Sequence, residues 1–490
     1  MVIKETRERT DEQKCATLNV VYPDSVAYPN TSQYNLEEAG YWSAQQEETD
    51  PFCFFEPPSN TAVAVALLLS RLTQCPFAVK SGGHAAFSGA SNIEGGITIN
   101  FAKLNEVTLS SNKSLAYVGP GNTWYDVYTQ LQPEGVQVIG GRVAAIGVGG
   151  LTLGGGVSFF SGEYGWACDN VYNYQVVTAN GEIIDVNYDS EYSDLYWALR
   201  GGGNNFGLVT RFDLYTFPQG LMWGGALTYY GNYTNDILKA LLYYGENAPS
   251  DPKAAVIVAV AYAEGQFVVV ADLEYTVPTY EPAILQDFFT IPHISDTTTN
   301  QTLADITLEF NASNPSGFRE TYWTATYALN MEMLQYIVEV YENETLTIAD
   351  VPGLVPACVL QIITTDEVSH MSKNGGNALG LTTDETPLLL LNLAFWWEDE
   401  SDDYRVLVAN QNIVDKTVAY AQSNGWYNEY LYMNYASQFQ DVVPSYGSAN
   451  HARLVQIAQK YDPTGVFQTL QPGYFKLNGA PGGTTIPTDI

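Results

Sequence analysis

Gly140-Gly141-Arg142-Val143-Ala144-Ala145-Ile146-Gly147-Val148-Gly149-Gly150-Leu151-Thr152-Leu153-Gly154-Gly155-Gly156 holds eight glycines in seventeen residues. A regular helix or strand does not tolerate that density, because glycine loses backbone entropy on ordering and offers no side chain to pack. The run reads as backbone wrapped against a flat, polar ligand. Two more clusters flank it. Upstream, Pro76-Phe77-Ala78-Val79-Lys80-Ser81-Gly82-Gly83-His84 sets a short strand before a glycine pair and a histidine. Downstream, Trp197-Ala198-Leu199-Arg200-Gly201-Gly202-Gly203-Asn204-Asn205-Phe206-Gly207 repeats the texture.

In the upstream turn, successive N–H groups can form a nest for phosphate oxygens. Gly82 and Gly83 let a diphosphate approach with no Cβ in the way. Of the four histidines, His84, His293, His370 and His451, only His84 stands in a glycine-rich turn. An imidazole nitrogen is a competent nucleophile for a stable covalent link. The plain alternative is an incidental histidine in a turn, and the independent glycine clusters weigh against it. No phosphate-loop signature and no strand–G-x-G-x-x-G–helix fingerprint occurs. His293 and His370 read as surface or loop residues, and His451 as a structural residue on a helix.

The chain has 490 residues, 46% hydrophobic and 15% charged, which suits a globular protein of one large domain or two. Its formal charge of −34 argues against nucleic acid and anionic membranes, which need a basic face. No apolar run reaches the ~18 residues of a membrane span. Met1 to Lys14 lacks a signal-peptide core. Six sequons, at Asn30, Asn112, Asn232, Asn300, Asn311 and Asn343, favour a secreted glycoprotein whose signal lies outside this numbering; the alternative is a cytosolic chain. Five cysteines include no C-x-x-C, so no metal is expected. Cys15 is expected to pair with Cys53 or Cys75. Cys168 and Cys358 read as buried small hydrophobes.

The texture is α+β, in three regions. Residues 1–215 hold short strands, such as Gly96–Asn100, Leu115–Val118 and Tyr174–Val177, and helices near 60–73, with Asn60 as a cap, and 123–132. Residues 216–430 alternate strands (Ala254–Ala263, Gln266–Tyr275, Leu388–Trp397) with amphipathic helices (Asn235–Tyr244, Met331–Glu342, and one ending over Thr417–Trp426). Trp396 and Trp397 are expected in the core. Residues 431–490 begin from a strand-like Tyr430–Tyr435 and continue through a helix over His451–Tyr461.

Ser81-Gly82-Gly83-His84, Gly149–Gly156, Cys168-Asp169-Asn170-Val171, Ala198–Gly207, Tyr432-Met433-Asn434-Tyr435 and Tyr461-Asp462-Pro463 together resemble the berberine bridge enzyme-like branch of the vanillyl-alcohol oxidase flavoproteins, fungal members above all. The resemblance covers nearly the whole chain. It implies a two-domain fold with a PCMH-type FAD domain (1–215, core about 48–217), an antiparallel-sheet substrate domain covered by helices (216–430), and a C-terminal segment (431–490) returning to the first. It implies FAD bound by Ser81, Gly82, Gly83, Gly147, Gly149, Gly150, Gly154, Gly155, Asp169, Asn170, Gly207, Val209, Tyr432 and Asn434, and joined through its 8α methyl carbon to His84.

Many members of this branch attach FAD twice, with a cysteine two residues after the glycine that matches Gly141. Here that position is Val143, which has no nucleophile, so His84 is expected to be the single tether. The implied chemistry is hydride transfer to flavin N5 with removal of an O–H or N–H proton. Tyr432 is the first candidate base, with Asn434 two residues on and Asn392 from the Leu388–Trp397 segment. A lysine found there in some relatives matches Leu390. The leading expectation is a monomeric oxidase of an alcohol, phenol or amine of a small metabolite, passing electrons to O2 to give H2O2. The alternatives are an oligosaccharide oxidase, which Val143 counts against, an oxidative cyclase, a flavin-dependent dehydrogenase, or a flavin-binding protein without turnover.

Overall fold

The computed structural model describes residues 13–488, and three sheets organise them. In the first, Cys53–Phe55, Ile97–Asn100 and Phe77–Lys80 lie parallel in that order, with Val26–Ala27 antiparallel at the edge. Parallel strands need a crossover, and the helix Asn60–Thr73 makes it between Cys53–Phe55 and Phe77–Lys80. Its cap is Ser59, one residue before the expected Asn60; the Ser59 hydroxyl accepts from the Ala62 N–H. A Cys15–Cys53 disulfide ties the preceding segment to this sheet, so Cys53, not Cys75, is the partner of Cys15. Cys168 and Cys358 are buried, as expected.

The second sheet is antiparallel, in the order Val107–Leu109, Leu115–Val118, Leu208–Pro218, Val171–Val177, Ile183–Asn187; Val136–Val138 also pairs with the long strand Leu208–Pro218. The glycine run and its neighbours lie between strands of this sheet, in short helical turns such as Val148–Leu153.

The third sheet has nine antiparallel strands drawn from residues 222–428. Side-chain alternation gives it two different faces. Val258, Leu360, Leu391, Leu393 and Phe395 point to one side and form a single core with the helices Thr234–Asn247, Met331–Thr347 and Asp403–Asn424. Ala259, Val359, Asn392 and Ala394 point to the other side, where a cavity lies. Leu388–Trp397 is covered on both faces, which is why it lacks the polar–apolar alternation of a half-exposed strand.

After Tyr427–Asn428 the chain returns to its first half. Tyr430, Tyr432, Met433, Leu454 and Phe475 share a core with Trp166, Ala198 and Phe212. Tyr430–Tyr435 is not the expected strand. Only Tyr427–Asn428 finds a partner, in Arg319–Ala328, and the chain then bends into a 3-10 turn at Met433–Tyr435. Its aromatic composition imitates a strand, but beyond Tyr427–Asn428 the edge of Arg319–Ala328 is taken by side chains: Gln440 bonds both backbone groups of Thr324, and Gln45 both of Glu320. Among the described residues no helix is long and apolar enough to cross a membrane.

Candidate active site between the glycine loops and the third sheet

A cavity of about 680 Å³ separates two walls of different construction. The first is glycine-rich backbone. Gly82 and Gly147 cross so closely that a Cβ on Gly82 would stand 2.4 Å from the Gly147 nitrogen, and one on Gly147 would stand 2.2 Å from the Gly82 nitrogen. Ser81 fastens this crossing: its hydroxyl donates to the Pro120 carbonyl (2.6 Å) and accepts from the Gly149 N–H (3.1 Å).

His84 follows directly and is held from the N-terminal side. The Trp42 N–H donates to the Gly83 carbonyl (3.1 Å) and Gln46 Nε2 donates to the Ala85 carbonyl (2.8 Å). The Trp42 indole stacks on the imidazole with ring centres 4.1 Å apart and planes 12° from parallel. His84 Nε2 is shielded and has no hydrogen-bond partner. What remains open of the ring faces the cavity, not bulk water. Burial lowers its pKa to about 4, so the imidazole is neutral and nucleophilic at pH 7. Nothing in the sequence singled out Trp42.

Tyr432 enters from the C-terminal segment. Three N–H donors converge on its oxygen: Gly156 (3.2 Å), Val157 (3.1 Å) and Asn434 Nδ2 (3.0 Å). Gly154 makes room for Asn434, since a Cβ there would lie 2.1 Å from Asn434 Oδ1. Asn434 therefore does meet Tyr432, through the turn and not through strand periodicity. Burial raises the Tyr432 pKa above the ordinary tyrosine value, Tyr435 adds to this, and the Val157 and Asn434 donors oppose it.

Among the other expected residues, Gly83, Gly149, Gly150, Gly207 and Val209 line the cavity, as do Asn392 and Asn434. Gly154, Gly155, Asp169 and Asn170 stand behind the wall. Asp169 is fully buried against Arg200 (2.9 Å) and also accepts from the Trp166 N–H and Asn377 Nδ2. Burial raises its pKa and Arg200 opposes the rise. Asn170 Nδ2 donates to the Tyr164 and Trp166 carbonyls. This cluster braces the glycine run, because Ala167 and Cys168 donate to the Gly156 and Gly155 carbonyls. The three other histidines lie outside the cavity: His293 is exposed, His370 Nε2 sits 3.1 Å from the Gly162 carbonyl, and His451 Nε2 sits 2.7 Å from that of Leu477.

The second wall is one face of the third sheet, which no local motif announces. Asp272, Gln361, Tyr322 and Trp396 line it, each from a different strand. Trp396 was expected in the core and instead faces the cavity. Trp397 is buried on the opposite face and donates to Asp403 (2.8 Å). Leu390 is buried beside Asn392, so this strand brings no lysine into the site. Arg142, which spacing placed in the glycine run without a role, reaches across to donate to the Tyr435 hydroxyl (2.5 Å), and Gln361 Nε2 donates to the same oxygen (3.2 Å).

A backbone-lined wall without room for Cβ atoms, ending in a shielded and unpartnered imidazole, fits a large planar cofactor with a diphosphate, and FAD answers that description. Fold and site together thus define a flavoprotein of α+β architecture. Residues 51–187 match the family model of the FAD binding domain, and residues 431–472 match the berberine and berberine-like model. A "FAD-dependent monooxygenase tpcD" of Cochliobolus heterostrophus is 39% identical over 465 residues, covering 92% of this chain and 89% of that protein. A "bifunctional solanapyrone synthase" of Alternaria solani is 30% identical over 468 residues, covering 94% and 88%. The crystal structure of 6-hydroxy-D-nicotine oxidase from Arthrobacter nicotinovorans shares the fold, with a TM-score of 0.76 at 21% identity over 93% of this chain and 98% of that one. The chain belongs to the berberine bridge enzyme-like family of FAD-dependent oxidoreductases.

Proposed function

We propose that FAD lies against the glycine wall, joined covalently to His84 alone, and that the enzyme oxidises an alcohol, phenol or amine of a small metabolite with O2 as final acceptor and H2O2 as product. The observation that carries this reading is the His84 imidazole, neutral, unpartnered at Nε2 and fixed against Trp42 at the edge of the cavity. Val143 lines the same cavity and offers no second nucleophile. Residues 1–215 and 431–490 would form the cofactor half, and residues 216–430 the substrate half.

FAD supplies the two-electron acceptor. The chain's own task is to hold the substrate and take its proton. Tyr432 is the base of this proposal. Its three N–H donors saturate the oxygen in a way that suits phenolate, while burial works against ionisation. As a base Tyr432 acts in its phenolate form, so the rate rises with pH along an alkaline limb. Asn434 steadies the Tyr432 oxygen, and Asn392 presents its amide from the opposite wall.

Five of the six sequon asparagines are exposed, and Asn311 is half-buried. With the Cys15–Cys53 disulfide they support a secreted glycoprotein.

The test is the mass of acid-precipitated protein. Wild type is expected to carry one FAD, and His84→Ala to carry none and to release its colour into the supernatant. An unmodified wild-type mass overturns the covalent reading. The name of the Cochliobolus relative favours a second reading, oxygen insertion. Turnover under 18O2 separates the two: one H2O2 per product without label supports oxidation, and labelled product supports monooxygenation.

A further inference from the structure

The sheet wall is a floor of small residues interrupted by a few polar ones. Ala226, Ala259, Ala261, Ala357 and Ala394 keep it flat. Asp272 and Gln361 share one row across the strands: Asp272 pairs with Ile257, and Ile257 pairs with Gln361. They are two strands apart, about 10 Å. Both carry acceptors that the protein does not use. Gln361 is 5% exposed, its Nε2 is engaged by Tyr435, and its Oε1 has no partner. Among the described residues no hydrogen bond reaches the Asp272 carboxyl.

The other charged groups facing Asp272 are already committed or disfavour an anion. Glu309, from the helix Leu303–Ala312, accepts from the Thr297 hydroxyl and from Gln301 Nε2. Glu274, one step along the Asp272 strand on the same face, is fully buried with neither oxygen bonded. Among the described residues that line this cavity Arg142 is the one cationic side chain, and it donates to the Tyr435 hydroxyl. Burial, and then the Glu309 charge, push the Asp272 carboxyl up to about 7. A wall that resists charging its own carboxylate also desolvates a ligand ion at a cost, so a neutral donor suits it better than an ammonium group.

We propose that Asp272 and Gln361 are substrate-anchoring residues, and that the substrate is a flat, uncharged, largely carbon ring system with two hydroxyl donors at opposite ends. The proposal rests on the reading above that FAD occupies the glycine wall, which leaves the sheet wall to the substrate. Each hydroxyl donates to one unused acceptor while the ring lies on the alanine floor. A substrate carboxylate has no proton to offer these two acceptors.

Calorimetric titration of the purified yellow protein, kept anaerobic, with 2,6-dihydroxynaphthalene, 2-naphthol, 2-naphthoate and 2-naphthylmethylamine tests this. Wild type is expected to bind the diol about tenfold or more tightly than the mono-ol, since each hydrogen bond to a charged or buried acceptor changes affinity by about ten- to a hundredfold. Asp272→Leu or Gln361→Leu should bring the diol down to the mono-ol, and Asp272→Asn, which keeps an acceptor, should restore part of the preference. Equal binding of diol and mono-ol by wild type overturns the proposal, as does an unchanged diol affinity in both leucine variants. Tightest binding of the naphthoate makes Arg142 the anchor and overturns it. Tightest binding of the amine does the same in favour of a cationic substrate. Should Asp272→Leu fail to fold, Gln361→Leu and Asp272→Asn still decide. A colourless wild type counts against the flavin reading, and the diol comparison on that protein still reports on the anchors.

Discussion

Gly82 and Gly147 line one wall of the cavity with bare backbone, whereas Asp272, Gln361 and Asn392 line the other with side chains from three separate strands. The first wall can be recognised from local sequence because its chemistry is the lack of side chains. The second depends on which face of a nine-stranded sheet turns inward. On the proposed reading the backbone wall holds the cofactor and the side-chain wall meets the substrate.

The largest expected effect breaks the backbone wall. Gly82→Val drives a branched side chain into the Gly147 nitrogen, where even a Cβ stands at 2.4 Å. Covalent flavin should be lost altogether, read as absent yellow colour in purified protein, while Ala259→Val on the sheet wall should keep its colour. If Gly82→Val retains full flavin, the two walls do not differ as argued. Next is Tyr432→Phe, which leaves Gly156, Val157 and Asn434 with no oxygen to hold. Steady-state kinetics should show kcat lower by about 10²–10⁴, the usual worth of a positioned acid–base group, with the alkaline limb removed. An unchanged limb assigns the base elsewhere.

A smaller effect concerns His84. An imidazole with its ordinary pKa would be mostly protonated at pH 5, and flavin attachment would slow about thirtyfold from pH 8. With its pKa lowered to about 4, the neutral form persists, and attachment to flavin-free protein should stay nearly flat from pH 8 to 5 and fall only near 4. The same shift stabilises the flavin-free fold above the ordinary histidine pKa and withdraws that support as pH falls through about 4. Trp396→Ala should do least: flavin content unchanged, with KM altered by up to about tenfold for ring substrates, because this indole meets the cavity and not the core.

Several elements were legible before folding. Leu388–Trp397, Ala254–Ala263 and Gln266–Tyr275 run between the residues their composition suggests. The Tyr430–Tyr435 segment misled because aromatic content marks a chain that fits a sheet, not one that finds an edge. Asp169 and Asn170, expected at the cofactor, have their side chains engaged by Arg200 and nearby carbonyls, a bracing that local sequence does not reveal.

The sequence by itself determined the glycine wall, the histidine that ends it and the lack of a nucleophile at Val143, since each is a property of residues adjacent in the chain. Only the tertiary structure decided that Cys53 joins Cys15, that Trp42 lies on His84, and that Asp272 and Gln361 share one row with their acceptors unused. Those relations join residues tens of positions apart. Side-chain alternation gives each strand two faces, and packing alone chooses which of them meets the cavity.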